Sequence, residues 1–204
     1  MKARGPAPKG RPRAFDADEA LDRAMTVFWR HGYEGASLAA LTEAMGINRP
    51  SLYAAFGNKE ALFQRVLDRY AAGPASYMRE ALEAPTARDV VERLFRGAVE
   101  VCADPDGPRG CLFVQGALSC GASADPIRRG LAERRAAGQA ALRERFEVAR
   151  AAGDLPARVD ASDLARYVMT VLTGMSIQAA GGASPDDLGR VAAMAMRAAP
   201  WSRR

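Results

Sequence analysis

Residues 37–63 read SLAALTEAMGINRPSLYAAFGNKEALF, and this stretch decides the architecture. Ser37 opens a helix predicted over Leu38–Met45, and Gly46 closes it by supplying a left-handed residue. Asn48 caps a second helix, Arg49–Phe56, in which Pro50 is tolerated because first-turn N–H groups have no intrahelical acceptor. Gly57 ends that helix, and Asn58 caps a longer one that begins Lys59-Glu60-Ala61 and runs to about Tyr70. Two short helices joined by a tight glycine turn make a helix-turn-helix. Leu41, Met45, Ile47 and Leu52 fall on the faces that meet when the helices cross, while Ala44, Ala54 and Ala55 keep their positions small. The second helix can offer its N-terminal side chains to a major groove.

Outward from this stretch the pattern stays helical. Asp16 caps a helix to about His31, with Ala20, Leu21, Ala24, Val27 and Phe28 at helical spacing, and Gly32 ends it. Gly73-Pro74 bends or breaks the chain. Thr86 with Asp89 starts a helix to about Cys102, residues 104–108 form a loop, and an apolar helix is predicted from Gly110 to Cys120. Asp125-Pro126 opens a long helix to about Ala152, Asp160 or Ser162 starts another through Ala180, and Ser184-Pro185 starts the last. With about nine helices, almost no strand signal and no internal repeat, the chain reads as all-α. Its 204 residues, 49% hydrophobic and 26% charged, suit an ordinary globular fold rather than disorder.

The formal net charge of +5 is concentrated at one end. Residues 1–13 carry Lys2, Arg4, Lys9, Arg11 and Arg13 with no acid, so the remainder is neutral. Residues 14–72 hold 6 basic and 8 acidic groups, so any polyanion must be held by a few placed side chains plus this arm. A membrane surface is the rival partner, but the arm has no apolar anchors beside its charges. Gly10-Arg11-Pro12 looks like the core of a minor-groove hook, which would insert Arg11 and Arg13 beside the recognition helix. No apolar leader is visible, three cysteines form no disulfide framework, and the uncharged run 167–185 is broken by Thr, Ser, Gln and Gly. These features predict a cytoplasmic protein with no membrane partner.

The runs 32–38, 44–47 and 51–63 resemble the TetR family of transcriptional regulators, and the likeness spans residues 15–70. It includes the pattern Leu52-Tyr53-x-x-Phe56-x-x-Lys59-x-x-Leu62. Thr42 stands where the family usually has Ala, and Arg49-Pro50 where small residues are common, so no operator sequence carries over. The resemblance implies three parts: a basic arm 1–13, a DNA-binding helix-turn-helix domain 14–60, and a ligand-sensing and dimerisation bundle 61–204. It also implies contacts to double-stranded operator DNA. Ser37 would bind a phosphate through its helix start, Arg49 a guanine in bidentate fashion, and Asn48 and Ser51 base edges or phosphates. Tyr53 would meet a phosphate or a thymine methyl, and Lys59 would clamp the backbone.

Family members bind an effector in the bundle, which here suggests Phe95, Val99, Leu112, Phe113, Leu118 and Phe146. They also form homodimers through their last helices. The helix predicted to end at Ala180 is apolar on two sides, with Leu164, Val168, Val171, Leu172 and Met175 on one and Tyr167, Thr170, Gly174 and Ile177 on the other. Val168, Leu172 and Met175, with Leu188, Val191 and Ala195 of the last helix, are the expected dimer face; plain core is the alternative.

Arg109-Gly110-Cys111-Leu112-Phe113, followed by Cys120, resembles the C-terminal domain of ComR-like regulators, some of which are linked to copper. Cys111 and Cys120 would lie on opposite faces of a straight helix, whereas Cys102 could approach Cys111 across the loop. A buried cysteine is commonly a small hydrophobe, but a thiolate at Cys111 would suit Cu(I) or an electrophile. His31 is the single histidine, so a His-rich metal site is excluded, and no cofactor is expected. With no carboxylate motif and no phosphate loop either, an enzyme is disfavoured. The expected function is a dimeric repressor released from DNA by an unknown small molecule. The alternative is a thiol-based sensor of oxidants, electrophiles or Cu(I) on the same DNA-binding domain.

Overall fold

The computed structural model describes residues 15–105, 107–116, 121 and 124–201. These form ten helices, with no strand among the described residues: α1 Ala17–Gly35, α2 Leu38–Met45, α3 Arg49–Phe56, α4 Lys59–Ala72, α5 Tyr77–Leu82, α6 Ala87–Cys102, α7 Leu112–Gln115, α8 Asp125–Ala151, α9 Ala161–Ala180 and α10 Pro185–Ala198. The arm, with Arg11 and Arg13, lies outside the described residues, as do Leu118 and Cys120.

Most helix starts follow from short polar side chains. Asp16, Ser37, Asn48, Asn58, Thr86, Asp160 and Ser184 each accept from first-turn N–H groups that have no acceptor inside the helix. Three features differ from the sequence expectation. Gly32 does not end α1 but breaks it, at φ 67 and ψ 179, and one more turn follows to Gly35. An unforeseen short helix, α5, follows the Gly73-Pro74 break, and its Ser76 makes no side-chain cap. The helix expected from Gly110 starts at Leu112 instead, because Gly110 at φ +81 turns the chain before it, and the rest of the expected span, 117–120, lies outside the described residues.

The first four helices pack around one aromatic centre. Phe28 and Phe63 meet edge to face at 4.8 Å between ring centroids, and Tyr33 lies 5.2 Å from Phe63. Leu41, Leu52, Leu62 and Val66 close this core completely. Arg69 of α4 grips Asp22 of α1 through two hydrogen bonds of 2.8 and 2.7 Å. In the second group, α6 packs on α5, α9 and α10, while α8 pairs with α9. The Arg145 guanidinium ties α8 to the α5–α6 link by donating to the carbonyls of Leu82 and Ala84. Between the groups sits α7, which touches α1, α4, α8 and α9. Among the described residues no helix is long and apolar enough to cross a membrane.

Phe63 is fully buried where α1, α4 and α7 converge, since a Cβ added at Gly116 would lie 3.2 Å from the tip of its ring. Phe63→Ala is expected to lower unfolding free energy by about 3–5 kcal/mol. Urea denaturation would measure this; a loss below about 1 kcal/mol would mean that the centre is not shared.

Candidate nucleic-acid interface and buried cavity

The recognition helix α3 is set by its two ends. Gly46 takes φ 66, and its own N–H and the next donate back to the end of α2: Gly46 to Glu43 and Ile47 to Thr42, both at 3.1 Å. Asn48 Oδ1 accepts from the Ser51 N–H at 2.9 Å, leaving only the Asn48 amide N–H₂ as a donor to an outside group. Ser37 Oγ likewise accepts from the Ala40 N–H at 3.1 Å. With Leu52 and Phe56 buried, Arg49, Pro50, Tyr53 and Ala54 are turned outward and Ser51 is half-buried. Arg65 fixes the far end, donating to the Ala55 carbonyl at 3.2 Å and lying over the Phe56 ring. Thr42, the departure from the family pattern, turns its hydroxyl onto the Leu38 carbonyl of its own helix.

The Lys59 ammonium sits 4.6 Å from the centroid of the Tyr33 ring, a cation–π contact that holds it over the α1–α4 junction. Tyr33 was not singled out in the sequence as a site residue, because its partner is 26 positions away and no local spacing reveals the pair.

The second group encloses a cavity of about 450 Å³. Tyr77 and Leu82 of α5, Leu94 and Cys102 of α6, and Cys111, Phe113 and Val114 form part of its wall. Arg134, Arg135 and Leu142 of α8, with Leu172 and Thr173 of α9, complete it. Of the residues expected to line a pocket, Phe113 does so. Leu112 and Phe146 are instead fully closed in the core, and Phe95 and Val99 turn toward Ala192 and Met196 of α10, along a separate groove.

Among the expected dimer residues, Val168, Met175, Leu188 and Ala195 are buried inside the protomer, and Leu172 faces the cavity. Only Val191 is exposed. The outward apolar row consists of Tyr167 and Ile177 on α9 with Val191 and Met194 on α10, at 37, 47, 43 and 63% exposure. The reason is that the stripe richer in large aliphatic residues is consumed by the protomer's own core, which leaves the other one outside.

The segment Gly110–Gly116 forms the cavity wall and also borders α1. On one side the Trp29 indole N–H donates to the Gly110 carbonyl at 3.0 Å, and the Tyr33 N–H donates to the Gly116 carbonyl at 3.1 Å. On the other, the Gly110 N–H donates to the Cys102 carbonyl and the Cys111 N–H to Ser176 Oγ, both at 2.8 Å. Arg135 donates to the Phe113 carbonyl at 2.6 Å. Trp29, Tyr70 and Phe113 run through the same junction edge to face, at 4.8 and 4.9 Å. Ser176, the buried polar residue of α9, was legible as a polar atom needing a partner, though not which one.

Burial pushes the Cys102 thiol up to about 12, with Cys111 adding to the effect. Burial also raises Cys111, although the Tyr70 hydroxyl and the charge on Arg135 oppose it. Both thiols are therefore protonated at neutral pH, which makes them weak nucleophiles and weak metal ligands. No group of three His, Cys, Asp or Glu among the described residues could hold a metal ion.

Residues 20–66 match the family model described as bacterial regulatory proteins, tetR family, and residues 87–195 match the tetracyclin repressor-like C-terminal domain. The chain is 36% identical to the HTH-type transcriptional repressor ComR of Escherichia coli K12, over 94% of this chain and 92% of that protein. It is 34% identical to the repressor BdcR of the same organism, over 91% of this chain and 90% of that one. Among solved structures, a cysteine variant of the regulator CifR in complex with 26-bp double-strand operator DNA aligns with a TM-score of 0.89. That match has 47% identity and covers 93% of this chain and 100% of the solved one.

A thiol held near 12 has a thiolate fraction at neutral pH on the order of 1,000-fold below that of an ordinary cysteine. Alkylation of Cys102 by iodoacetamide, followed by mass spectrometry, is expected to be at least ~100-fold slower in the folded protein than in urea. Equal rates would show that the thiol is open and ionised.

Proposed function

The chain belongs to the tetR family of bacterial regulatory proteins, and from this we propose that it is a homodimeric transcriptional repressor released from operator DNA by a small molecule. The observation that carries the DNA-binding part is α3, a rigidly capped helix with Arg49 and Tyr53 turned outward. In this reading Arg49 grips a guanine with its two-pronged guanidinium, while Asn48 and Ser51 reach neighbouring edges or phosphates. Tyr53, Lys59 and the helix start at Ser37 hold the backbone, and the arm 1–13 inserts Arg11 and Arg13 into the minor groove. Residues 14–60 thus form the reading domain, and 61–204 the sensing and dimerising one. The operator complex described for CifR supports this at family level. The outward apolar row on α9 and α10 supports a second copy of the chain as its cover.

The effector enters the cavity in this reading. Displacing Phe113 or Val114 pulls on Gly116, whose carbonyl holds the Tyr33 N–H just beyond the break in α1. Tyr33 carries Lys59, so a shift of the wall is felt at a DNA-contacting side chain. Coupling of about 1–3 kcal/mol between effector and operator is of the size expected for such a linkage. The thiol alternative rests on Cys102 and Cys111 both lining the cavity. Their protonated state weighs against it.

Sequences selected from random DNA are expected to be palindromes with half-sites about one helical turn or more apart. Arg49→Ala should relax preference at one base position by roughly 1–3 kcal/mol, whereas Lys59→Ala should weaken all sequences alike. An Arg49→Ala protein with unaltered base preference would remove Arg49 from the groove. Deleting residues 2–13 should make affinity less salt-dependent, and an unchanged slope in fluorescence anisotropy would exclude the arm from the interface.

A further inference from the structure

We propose that the cavity selects an apolar molecule ending in a single carboxylate, with the acid group held by Arg135 and Tyr77. This rests on the reading of the cavity as the effector site. Its body is alkyl: Met78, Leu82, Leu94, Leu142, Met169 and Leu172 face inward, which suits a hydrocarbon or aromatic body. No carboxylate side chain borders it, yet three arginines do. Arg134 is already committed, pairing with Asp68 at 2.7 Å. Arg135 spends one N–H on the Phe113 carbonyl and has no acidic partner among the described residues. Arg79, exposed at the mouth, has none among them either. A half-buried guanidinium with most of its donors unspent, facing an apolar space, is best satisfied by an anion.

The remaining polar groups point the same way. Neither the Tyr77 hydroxyl nor the Thr173 hydroxyl has a hydrogen-bond partner among the described residues, and both residues border the cavity. Tyr77 is firmly seated, because its ring lies directly on Gly97, where any added Cβ would overlap it. Burial, with the neighbouring Cys102 and Cys111 adding to it, holds the proton on its hydroxyl, which therefore stays able to donate. The uncommitted nitrogens and hydroxyls that face the cavity can all donate. The guanidinium can only donate, so a head that accepts, and best one that carries negative charge, complements the set.

Calorimetric titration of the full chain with 2-naphthoate and with its neutral isostere 2-acetonaphthone separates the possibilities. The acid is expected to bind at least about tenfold more tightly, the size of a charge-assisted hydrogen bond. Arg135→Met should remove about 10–100-fold of the naphthoate affinity while leaving acetonaphthone within about twofold, which guards against simple loss of folding. Arg79→Gln, at an exposed position, should reduce naphthoate binding a few-fold. Tighter binding of the ketone, no binding of naphthoate at millimolar concentration, or equal losses for both probes in Arg135→Met would overturn the proposal. Operator release is followed separately by gel shift. Selective binding of naphthoate without release would count against the cavity as effector site while the acid preference stands. Release driven by the ketone alone would do the reverse.

Discussion

The hydrogen bonds on both flanks of Gly110–Gly116 are the constraint on which the rest of the molecule depends. The segment gives carbonyls to Trp29 and to the Tyr33 N–H, and it ties N–H groups to the Cys102 carbonyl and to Ser176. A buried backbone group left unpaired costs about 1–3 kcal/mol, so the segment cannot drift from either flank without losing several such bonds. Its own side chains, Cys111, Phe113 and Val114, face the cavity. One short stretch is thus at once a wall of the larger bundle and a bracket for the helix-turn-helix.

Against that bracket, charge is distributed sparingly. The first four helices carry more acid than base, but part of the acid is neutralised where it stands. Asp18 and Asp22 lie on Arg69, and Glu19 pairs with Arg23. Arg49 has no such acidic neighbour among the described residues, which leaves its full donor set for an outside acceptor. Specific affinity in such a domain comes from placement rather than from net positive charge.

What could be read in the sequence is what is decided within a few residues. The capping side chains bond N–H groups two or three positions on, so α2, α3 and α6 begin where Ser37, Asn48 and Thr86 say they should. α5 was missed because Ser76 makes no cap, and Tyr77 finds its seat on Gly97, 20 residues away. Phe95 and Val99 have the apolar character of pocket residues, but periodicity states that a side chain is buried and not against which neighbour. The same limit applies to α9: both of its apolar stripes were legible, whereas which of them the protomer keeps for itself depended on how α6, α8 and α10 surround it.

The break in α1 at Gly32 acquires significance beside the self-contained caps of α2, α3 and α4. Rotation about that glycine would leave the Ser37, Asn48 and Asn58 caps intact, but it would carry Phe28 and Asp22 away from Phe63 and Arg69 of α4, so the aromatic contact and the ion pair lock the joint. The four helices therefore turn together or not at all, like a hand held in a splint.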